Sequence, residues 1–439
     1  MNYTMEEVLQ FINDNDVKFV RLSFCDIFGA VKNISILSEE LPRAFDSGIS
    51  FDASSIRGFL NIEESDLFLY PDPSTLAILP WRPQQGRVIR FYCDIKYPDG
   101  TPFEGDGRAI LQKAVETANN LGYKIEIGSE CEFYLFEEDE KGNPTKISHD
   151  NAGYFDVAPL DRGENVRRDI SLTLEQMGIF PECSHHEQGP GQNEIDFRYS
   201  DAMSAADNLV TFKSVVKTIT HLNGLYASFM PKPLKDSSGS GLHINISLLK
   251  NNINLFDNIQ NNHSHEAESF IAGILNRIKE ITVFLNPLTN SYERFGSHAA
   301  PKFISWSYQN RSQLIRIPAA NGKYSRMELR SSDPSCNPYY AFALLIYAGL
   351  EGIENKLELK KPTNLNLYQA DEKTLKLYET IPDTLEKAID CAVKSDFVAK
   401  CLPEKTLGKY FAAKKYECNQ WEKADNKEEF EHNTYFYTI

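Results

Sequence analysis

The sequence predicts an α+β protein with a small N-terminal domain and a larger domain built on an antiparallel sheet. Its 439 residues exceed the usual size of one domain. Apolar and polar residues alternate along many short runs, as in strands with one wet face, and helical patterns lie between these runs. The turn-forming residues 98–102 (Pro-Asp-Gly-Thr-Pro) separate two groups of elements, so we expect domains at residues 1–102 and 103–439.

Composition and charge exclude several classes of function. Hydrophobic residues make up 41% and charged residues 25%, as in ordinary globular proteins. The formal net charge of −16, with no basic block, argues against binding to nucleic acid. No apolar run reaches the length of a membrane helix, and the N-terminal residues have no targeting character. Eight scattered cysteines without a C-x-x-C pair indicate reduced thiols, so we expect a cytoplasmic protein.

One helix and three strands are predicted in the N-terminal domain. Residues 5–13 carry apolar side chains on one stripe, which predicts a short helix. Residues 17–24, 31–36 and 88–95 alternate as strands do. Between these strands Asp52, Ser54 and Ser55 lie in a loop, where an Asx or serine turn is the simplest interpretation.

The second domain begins with a predicted helix at 107–121 and a strand at 123–136. Glu130 and Glu132 are two residues apart on this strand, so they point to the same side. An exposed edge strand with surface charge would show the same pair. His243 lies on a later strand whose polar residues alternate with isoleucines. Further helices are predicted at 201–222, 267–285 and 337–357, and amphipathic helices follow to the C-terminus.

A predicted hairpin carries the strongest local signal for chemistry. Residues 184–197 read S-H-H-E-Q-G-P-G-Q-N-E-I-D-F, and Gly-Pro-Gly is typical of a turn. Glu187 and Glu194 fall on the two arms, and Glu194 and Asp196 alternate with apolar residues. Carboxylates crowded together repel one another unless cations neutralise them. We therefore interpret the hairpin as half of a metal site.

Arginines gather in the second half of the chain. Arg326, Glu328 and Arg330 are spaced by two, which predicts one polar face of a strand. Gly239 and Gly241 predict a flexible loop, and because no helix follows them the loop is not a phosphate-binding P-loop. Scattered surface arginines are the simpler alternative, but alternation with apolar residues favours a one-sided sheet.

Together these residues predict a lined cavity in a curved antiparallel sheet. Carboxylate oxygens suit Mg²⁺, a histidine also suits Mn²⁺, and this many carboxylates hold two or three cations. Arginines supply forked donors for phosphates and carboxylates. The residues alone therefore indicate a metal-dependent, ATP-using enzyme with an anionic co-substrate.

Motifs along the whole chain make a family resemblance specific. They include F-D-A-S-S-I-R-G-F, S-E-C-E-F-Y-L-F, H-H-E-Q-G-P-G-Q-N-E-I-D-F, G-S-G-L-H, N-S-Y-E-R, Q-N-R-S and R-M-E-L-R-S-S-D-P. In these motifs and their order the chain resembles the glutamine synthetases, in the short type I bacterial form. The resemblance implies a small N-terminal β-grasp domain and a catalytic half-barrel surrounded by helices. It also implies a homododecamer of two hexameric rings, with active sites between subunits.

The implied reaction joins ammonia to the γ-carboxylate of glutamate at the expense of ATP, through γ-glutamyl phosphate. The resemblance assigns one cation to Glu132, Glu187 and Glu194, and another to Glu130, His243 and Glu328. It assigns glutamate binding to Arg294 and Arg330 with Gly239, Glu132 and His243, and ATP binding to Ser247, Arg311, Arg316, Lys323 and Arg326. It assigns the ammonium pocket to Asp52 and Ser55 of the adjacent subunit, with Tyr154 and Glu187.

The sequence departs from the family pattern in three places. Ala299 stands where the family's mobile flap carries a glutamate, and the neighbouring His298 is a candidate replacement base. Ser238 replaces an asparagine near the glutamate amino group, and Asn61 replaces an arginine linked to feedback inhibition. The altered flap opens an alternative, a γ-glutamyl-amine ligase that uses a polyamine or monoamine. A non-catalytic member would have lost metal ligands, and none is lost here.

Overall fold

The computed structural model describes residues 3–257, 264–296 and 300–439. His298 and Ala299, which carry the main departure from the family pattern, lie outside the described residues. The described residues form two sheets, one within residues 17–96 and the other within residues 123–329, with helices packed on both. This arrangement confirms the predicted α+β class.

Twelve α-helices lie within the described ranges. They are α1 (Met5–Asp14), α2 (Leu41–Ser47), α3 (Gly107–Asn120), α4 (Glu164–Gln176), α5 (Ala202–Leu222), α6 (His265–Leu285), α7 (Pro338–Glu354), α8 (Glu372–Leu375), α9 (Leu385–Val393), α10 (Asp396–Cys401), α11 (Glu404–Lys423) and α12 (Lys427–Glu431). The long helices predicted from periodicity are all present, with ends shifted by a few residues.

Seventeen strands accompany these helices in the described part of the chain. They are β1 (Val17–Cys25), β2 (Val31–Leu37), β3 (Ile49–Asp52), β4 (Asp66–Pro71), β5 (Ala77–Ile78), β6 (Arg87–Lys96), β7 (Tyr123–Glu138), β8 (Pro144–Ser148), β9 (Pro181–His186), β10 (Gln192–Phe197), β11 (Ser200–Asp201), β12 (Leu225–Ser228), β13 (Leu242–Lys250), β14 (Ile253–Asn254), β15 (Trp306–Tyr308), β16 (Ile315–Ile317) and β17 (Met327–Leu329).

The N-terminal sheet has the order β2-β1-β6-β4-β3, with β5 beside β6. Its two central strands, β1 and β6, run parallel, and the other pairs are antiparallel. Helix α1 begins at a capping box, in which Thr4 and Glu7 satisfy each other's backbone N–H groups. Val8 and Ile12 are the buried side chains of this helix, as the apolar stripe predicts.

The larger sheet is organised around the 16-residue strand β7. Its order is β15-β16-β17-β13-β7-β10-β9, and short strands add to β7 and β13. All named pairs are antiparallel except β15 and β16, so the sheet is the antiparallel half-barrel that was expected. Strand β7 is central rather than an edge strand, which rules out the simpler interpretation of its two glutamates as surface charge.

The helices cover the apolar face of this sheet. The α6 and α7 backbones approach so closely that a Cβ on Gly273 would lie 2.1 Å from the carbonyl oxygen of Ala348. Only glycine fits there, and this contact fixes the spacing of the two most apolar helices. The polar face of the sheet is left open and forms a cleft.

One local prediction is wrong. The strand expected to carry Arg326, Glu328 and Arg330 is only β17, so the two arginines flank it.

The loop of Gly239 and Gly241 is packed against the side chain of Arg294. A Cβ on Gly239 would lie 2.6 Å from Arg294 Cγ and 2.7 Å from Pro231 O, so a side chain does not fit there. The flexibility expected for this loop stays a prediction.

All eight cysteines are free, and five of them are buried. This confirms the prediction that most are small core residues. Of the helices in the described ranges, none is long and apolar enough to cross a membrane.

Candidate active site

Strand register brings the predicted metal ligands into one row. Glu194 on β10 lies opposite Glu132 on β7, and Glu130 on β7 lies opposite His243 on β13. On the next strand, Glu328 is the register partner of Asn245. Because side chains at paired positions of neighbouring strands share a face, these residues all point into the same cleft.

The hairpin between β9 and β10 closes one end of this row. Glu187 lies one residue beyond β9, in the connection rather than on the arm, and its backbone N–H donates to Gln192 O over 2.8 Å. The turn passes so close to β7 that a Cβ on Gly191, whose φ is +68°, would lie 2.7 Å from Leu135 O. The Gly-Pro-Gly prediction of a turn is therefore confirmed, with a tertiary reason for the second glycine.

The buried pair of His186 and Asp150 anchors the hairpin. Nε2 of His186 lies 2.9 Å from Asp150 Oδ1, and the same oxygen accepts from the backbone N–H of Gly191 over 2.9 Å. Burial alone lowers the pKa of His186, but hydrogen bonds to Asp150 and the backbone raise it overall. The pair thus holds both ends of the turn that positions Glu187.

Donor atoms of Glu130, Glu194 and His243 lie within 4.8 Å of one another, and a second such group contains His185, Glu187 and Glu194. His243 Nδ1 is 3.0 Å from Glu130 Oε2, which orients the ring. Its Nε2 is buried and has no hydrogen-bond partner among the described residues. A buried nitrogen without a partner costs free energy unless it binds something, and a cation is such a ligand.

Neighbouring polar groups hold Glu132 in place. Its Oε2 accepts from Gln192 Nε2 over 2.8 Å and from the backbone N–H of Gly241 over 2.9 Å. Burial raises the pKa of Glu132, and the nearby Glu187 raises it further. The pKa of Glu194 is raised well above its ordinary value for the same reasons, burial and then neighbouring carboxylates such as Asp196.

The raised pKa values of Glu132 and Glu194 bear on whether the site suits cations. A cluster of carboxylates whose charges are uncompensated is stabilised by protonation or by metal, and metal binding competes with protons. The donors in these two groups are carboxylate oxygens of three glutamates and imidazole nitrogens of His243 and His185, a mostly oxygen set that fits hard divalent cations. The residues present therefore fit the cations that the family resemblance implies.

Glu328 differs from the other carboxylates because two guanidinium groups contact it. Arg316 Nη1 donates to one oxygen and Arg330 Nη1 donates to the other. Glu328 is fully buried, so this double pairing compensates its charge. A cation bound at Glu328 would compete with Arg316 or Arg330 for a carboxylate oxygen.

Beside this row, the side chain of Arg294 is buried under the Gly239–Gly241 loop. Its Nη1 donates to Ser331 O over 3.1 Å, and its Nε has no partner in the described structure. A Cβ on Gly241 would lie 3.2 Å from both Arg294 Nη2 and Glu132 Oε1. The glycine thus lets a guanidinium approach the carboxylate row.

A cavity of about 460 Å³ opens at the β13–β17 side of the cleft. Phe256, Tyr308 and Ile317 supply apolar walls, and Arg326 lines its polar side. Arg326 Nε donates to Asn245 Oδ1 over 3.0 Å, and Ser247 Oγ donates to Ser325 O over 3.0 Å. The other residues predicted to bind ATP, Lys323 and Arg311, are exposed.

The residues predicted for the amine pocket are not brought together within the chain. Asp52 accepts from Ser54 N over 2.9 Å and from Ser55 Oγ over 3.1 Å, which confirms the local turn. Within the described residues, neither Asp52 nor Ser55 bonds to the hairpin. Tyr154 does lie near it, with its ring edge-on to His185 at 5.7 Å.

Two residues that position the site, Gln192 and Asp150, were not predicted from the sequence. Gln192 holds Glu132 and also donates to Gly239 O over 3.2 Å. Its place two residues before Glu194 on the same strand was a usable signal, because the two share a face. Asp150 carries no comparable signal, since it lies in a loop far from the hairpin in sequence.

An antiparallel half-barrel with carboxylates across its centre and arginines at its rim defines a class of enzymes that use cations to handle phosphorylated substrates. Family models identify the class further: residues 16–98 match the glutamine synthetase β-grasp domain, and residues 104–433 match the glutamine synthetase catalytic domain. The chain belongs to the glutamine synthetase family.

Curated relatives and solved structures agree with this assignment. Proteins named glutamine synthetase from Clostridium saccharobutylicum and Methanosarcina mazei are 47% and 48% identical to the chain. Each alignment covers 95% of this chain, and 96% and 95% of the relatives. A structure of Plasmodium falciparum glutamine synthetase has a TM-score of 0.86 at 26% identity, covering 97% of this chain and 98% of that one. A structure named GmaS/ADP complex has a TM-score of 0.87 at 26% identity, covering 98% and 99%.

Proposed function

We propose that the protein is an ATP-dependent glutamate–ammonia ligase that makes glutamine through γ-glutamyl phosphate. The observation that carries this proposal is the row of Glu194, Glu132, Glu130, His243 and Glu328 across four neighbouring strands. Its relatives at 47% and 48% identity are named glutamine synthetase. In the first step the γ-carboxylate of glutamate attacks the terminal phosphorus of ATP, and ADP leaves. In the second step ammonia attacks the acyl carbon, and phosphate leaves.

The carboxylate row holds the cations in this proposal. One set of ligands is Glu132, Glu187 and Glu194, and the other is Glu130, His243 and Glu328. Two or three Mg²⁺ or Mn²⁺ ions suit these donors, and when bound they neutralise the charge of the transferring phosphoryl group. The chain's own part is to hold the carboxylates in place through Gln192, Asn245 and the backbone of Gly241.

Arginines bind the two anionic substrates. Arg294 and Arg330 take the carboxylates of glutamate, because both are buried beside Glu132 or Glu328 and Arg294 keeps an unpartnered Nε. Gly239 leaves room for the amino end of that substrate, and Glu132 and His243 border it. Arg311, Arg316, Arg326, Lys323 and Ser247 attend ATP, whose base fits the apolar walls of the 460 Å³ cavity. The neighbour with TM-score 0.87 is named as a complex with ADP.

The ammonium pocket completes the site from a second subunit. Asp52 and Ser55 are exposed, and among the described residues their side chains bond only within their own turn, so they are free to face a neighbouring chain. With Glu187 and Tyr154 they give an acidic pocket that attracts ammonium and takes its proton. We propose that the pocket lies between subunits of a homododecamer of two hexameric rings, as the family resemblance implies, and that the protein is cytoplasmic, where free cysteines stay reduced.

Measuring phosphate release from ATP tests the reaction. With glutamate and Mg²⁺ present, we expect release to depend on ammonia and not on a panel of monoamines and polyamines. Release that requires an organic amine would instead support the γ-glutamyl-amine ligase. The relatives named glutamine synthetase do not favour that alternative, which was motivated by Ala299 and His298. Absence of release with every amine would overturn the proposal.

A further inference from the structure

Three side chains with three different donor atoms meet at the edge of the large sheet. Cys183 and His185 are two residues apart on the edge strand β9, so both point to the same face. On β10, Asp196 is the register partner of Cys183, and Glu194 is the partner of His185. A thiol, an imidazole and a carboxylate therefore lie beside the proposed cation ligands, and of the three only His185 also belongs to a donor group of the carboxylate row.

The three groups are close enough to share one ion. Cys183 Sγ lies 2.8 Å from Asp196 Oδ2, and one donor atom from each residue lies within 4.8 Å of the other two. In a tetrahedral zinc site with bonds of about 2.0–2.3 Å, neighbouring ligand atoms are about 3.3–3.8 Å apart. Small side-chain rotations therefore bring the three donors to coordination distance.

Two further features suit a ligand at this place. Asp196 Oδ1 is buried and has no hydrogen-bond partner in the described part of the chain. A buried oxygen of this kind costs free energy until it binds a donor or a cation. Cys183 is exposed, unlike the five buried cysteines, so an ion reaches the thiol directly from solvent. With three protein ligands, a water completes the fourth position.

We propose that Cys183, His185 and Asp196 bind one thiophilic divalent cation of the Zn²⁺ class, at a site separate from the carboxylate row. Sulfur and imidazole ligands select Zn²⁺ and Cd²⁺ over Mg²⁺, which requires oxygen ligands. On binding, the sulfur–metal bond replaces the S–H bond, and the thiol proton leaves to solvent. Nothing is oxidised or reduced in this exchange.

The site is coupled to the cleft through His185. Its Nδ1 lies 3.7 Å from Glu187 Oε1, and its Nε2 lies 3.9 Å from Glu194 Oε2. The ring of Tyr154 is edge-on to the same imidazole. A cation that binds the His185 imidazole at the sheet edge would move the ring away from Glu187 and Glu194. Resting on the proposed function, we infer that an ion bound here lowers glutamine synthesis.

Cadmium tests the binding site independently of activity. Cd²⁺ bound to a thiolate gives a sulfur-to-metal charge-transfer absorption, which carboxylate-bound Cd²⁺ does not give. Titrating the full-length protein with Cd²⁺ under saturating Mg²⁺ should produce this band with one equivalent per chain. Cys183→Ala should abolish it. Cys391→Ala, at a partly buried cysteine outside the cluster, should retain it.

Two more variants distinguish a metal site with three ligands from Cd²⁺ binding to a single reactive thiol. Asp196→Asn should weaken Cd²⁺ binding at least tenfold while leaving the cysteine in place. Cys183→Ser, which keeps a hydrogen-bond donor for Asp196, replaces the alanine variant if that variant loses structure. A band that survives in Cys183→Ala and Cys183→Ser, or one that is unchanged in Asp196→Asn, would overturn the site.

Zn²⁺ inhibition tests the coupling to activity. Cys183→Ala should keep ordinary activity with Mg²⁺ but need at least tenfold more Zn²⁺ for half-inhibition, whereas Cys391→Ala should resemble the wild type. Equal Zn²⁺ sensitivity in both variants would overturn the coupling. Failure of the proposed reaction is distinguishable from failure of the site, because the charge-transfer band does not depend on turnover.

Discussion

The two ends of the cleft are built in different ways. At the carboxylate row, buried side chains are held by several partners: Gln192 and Gly241 hold Glu132, and Arg316 and Arg330 hold Glu328. At the amine end, Asp52 and Ser55 are exposed and bonded only to their own turn. The carboxylate row is held by residues of the same chain, so this end of the cleft is complete within one subunit. Asp52 and Ser55 are held only by their own turn, and we therefore propose that the amine pocket lies between two subunits.

The largest expected effect is at the carboxylate row. Glu132→Gln keeps the shape but removes a charge from the proposed cation site. Because cations contribute several kcal/mol to stabilising the transferring phosphoryl group, we expect kcat to fall about 10³-fold. Steady-state phosphate release by the variant and the wild type measures this fall in kcat. Glu126→Gln, on the same face of β7 and paired with Lys124, is the matched control. A fall of less than tenfold would contradict the role of Glu132.

The second-largest effect is expected at the amine end of the cleft, and it distinguishes that end from the carboxylate row. Asp52→Asn removes the proposed proton acceptor, so we expect ammonia-dependent turnover to fall about 10²-fold. ATP binding should not change, since Asp52 is not among the residues proposed to hold ATP or the cations. Asp99 lies in a similar exposed turn with Thr101, so Asp99→Asn tests whether loss of such a turn alone lowers activity.

Co-expression of Asp52→Asn and Glu132→Gln chains tests the interface directly. If each site takes Asp52 from one subunit and Glu132 from its neighbour, mixed assemblies contain some sites with both native residues. Random mixing gives about a quarter of wild-type sites. We expect activity near that fraction, measured on assemblies carrying two different affinity tags. Recovery no greater than the sum of the two variants would place both residues in one chain.

A smaller effect is expected at Arg294. Arg294→Lys keeps the charge but loses the forked donors beneath the glycine loop, so the KM for glutamate should rise roughly 10- to 100-fold. The KM for ATP should stay within about twofold, because the ATP cavity is lined by other residues. Arg168→Lys on the exposed face of α4 is the control. Equal changes in both KM values would contradict a role specific to glutamate.

The smallest effect concerns stability of the hairpin that joins the two ends. Asp150→Asn should lower the free energy of unfolding by about 1–3 kcal/mol, because it breaks the buried bond to His186. The pKa of His186 is raised from 6.5, so its contribution is present below 6.5 and is lost as pH rises through the raised value. The pKa of Asp150 is lowered from 3.8, so its contribution is present above 3.8 and is lost on acidification.

Denaturant unfolding of wild type and variant across pH measures this difference. It should be largest between the two ordinary pKa values and shrink on either side. His149→Gln, at a neighbouring histidine that contacts Glu137 rather than Asp150, is the control. A difference that does not vary with pH would show that the pair contributes by packing rather than by charge.

The sequence by itself determined the elements and the donor set. Period-two alternation at Glu130–Glu132 and at His243–Ser247 predicted strands with one polar face, and Gly-Pro-Gly predicted the turn. These features are local, because they depend on side-chain direction and turn geometry within a few residues. The motifs that match the family could also be read from the sequence alone. The same holds for the inference of a metal-dependent, ATP-using enzyme.

Only the tertiary structure decided what those donors touch. Register across β10, β7, β13 and β17 placed Glu194, Glu130 and His243 within one cluster, and no local pattern contains that information. The anchoring of the hairpin by Asp150, the pairing of Glu328 with Arg316 and the trio at Cys183 likewise depend on contacts between different strands and loops. Such contacts arise from strand pairing and burial, which act through space rather than along the chain.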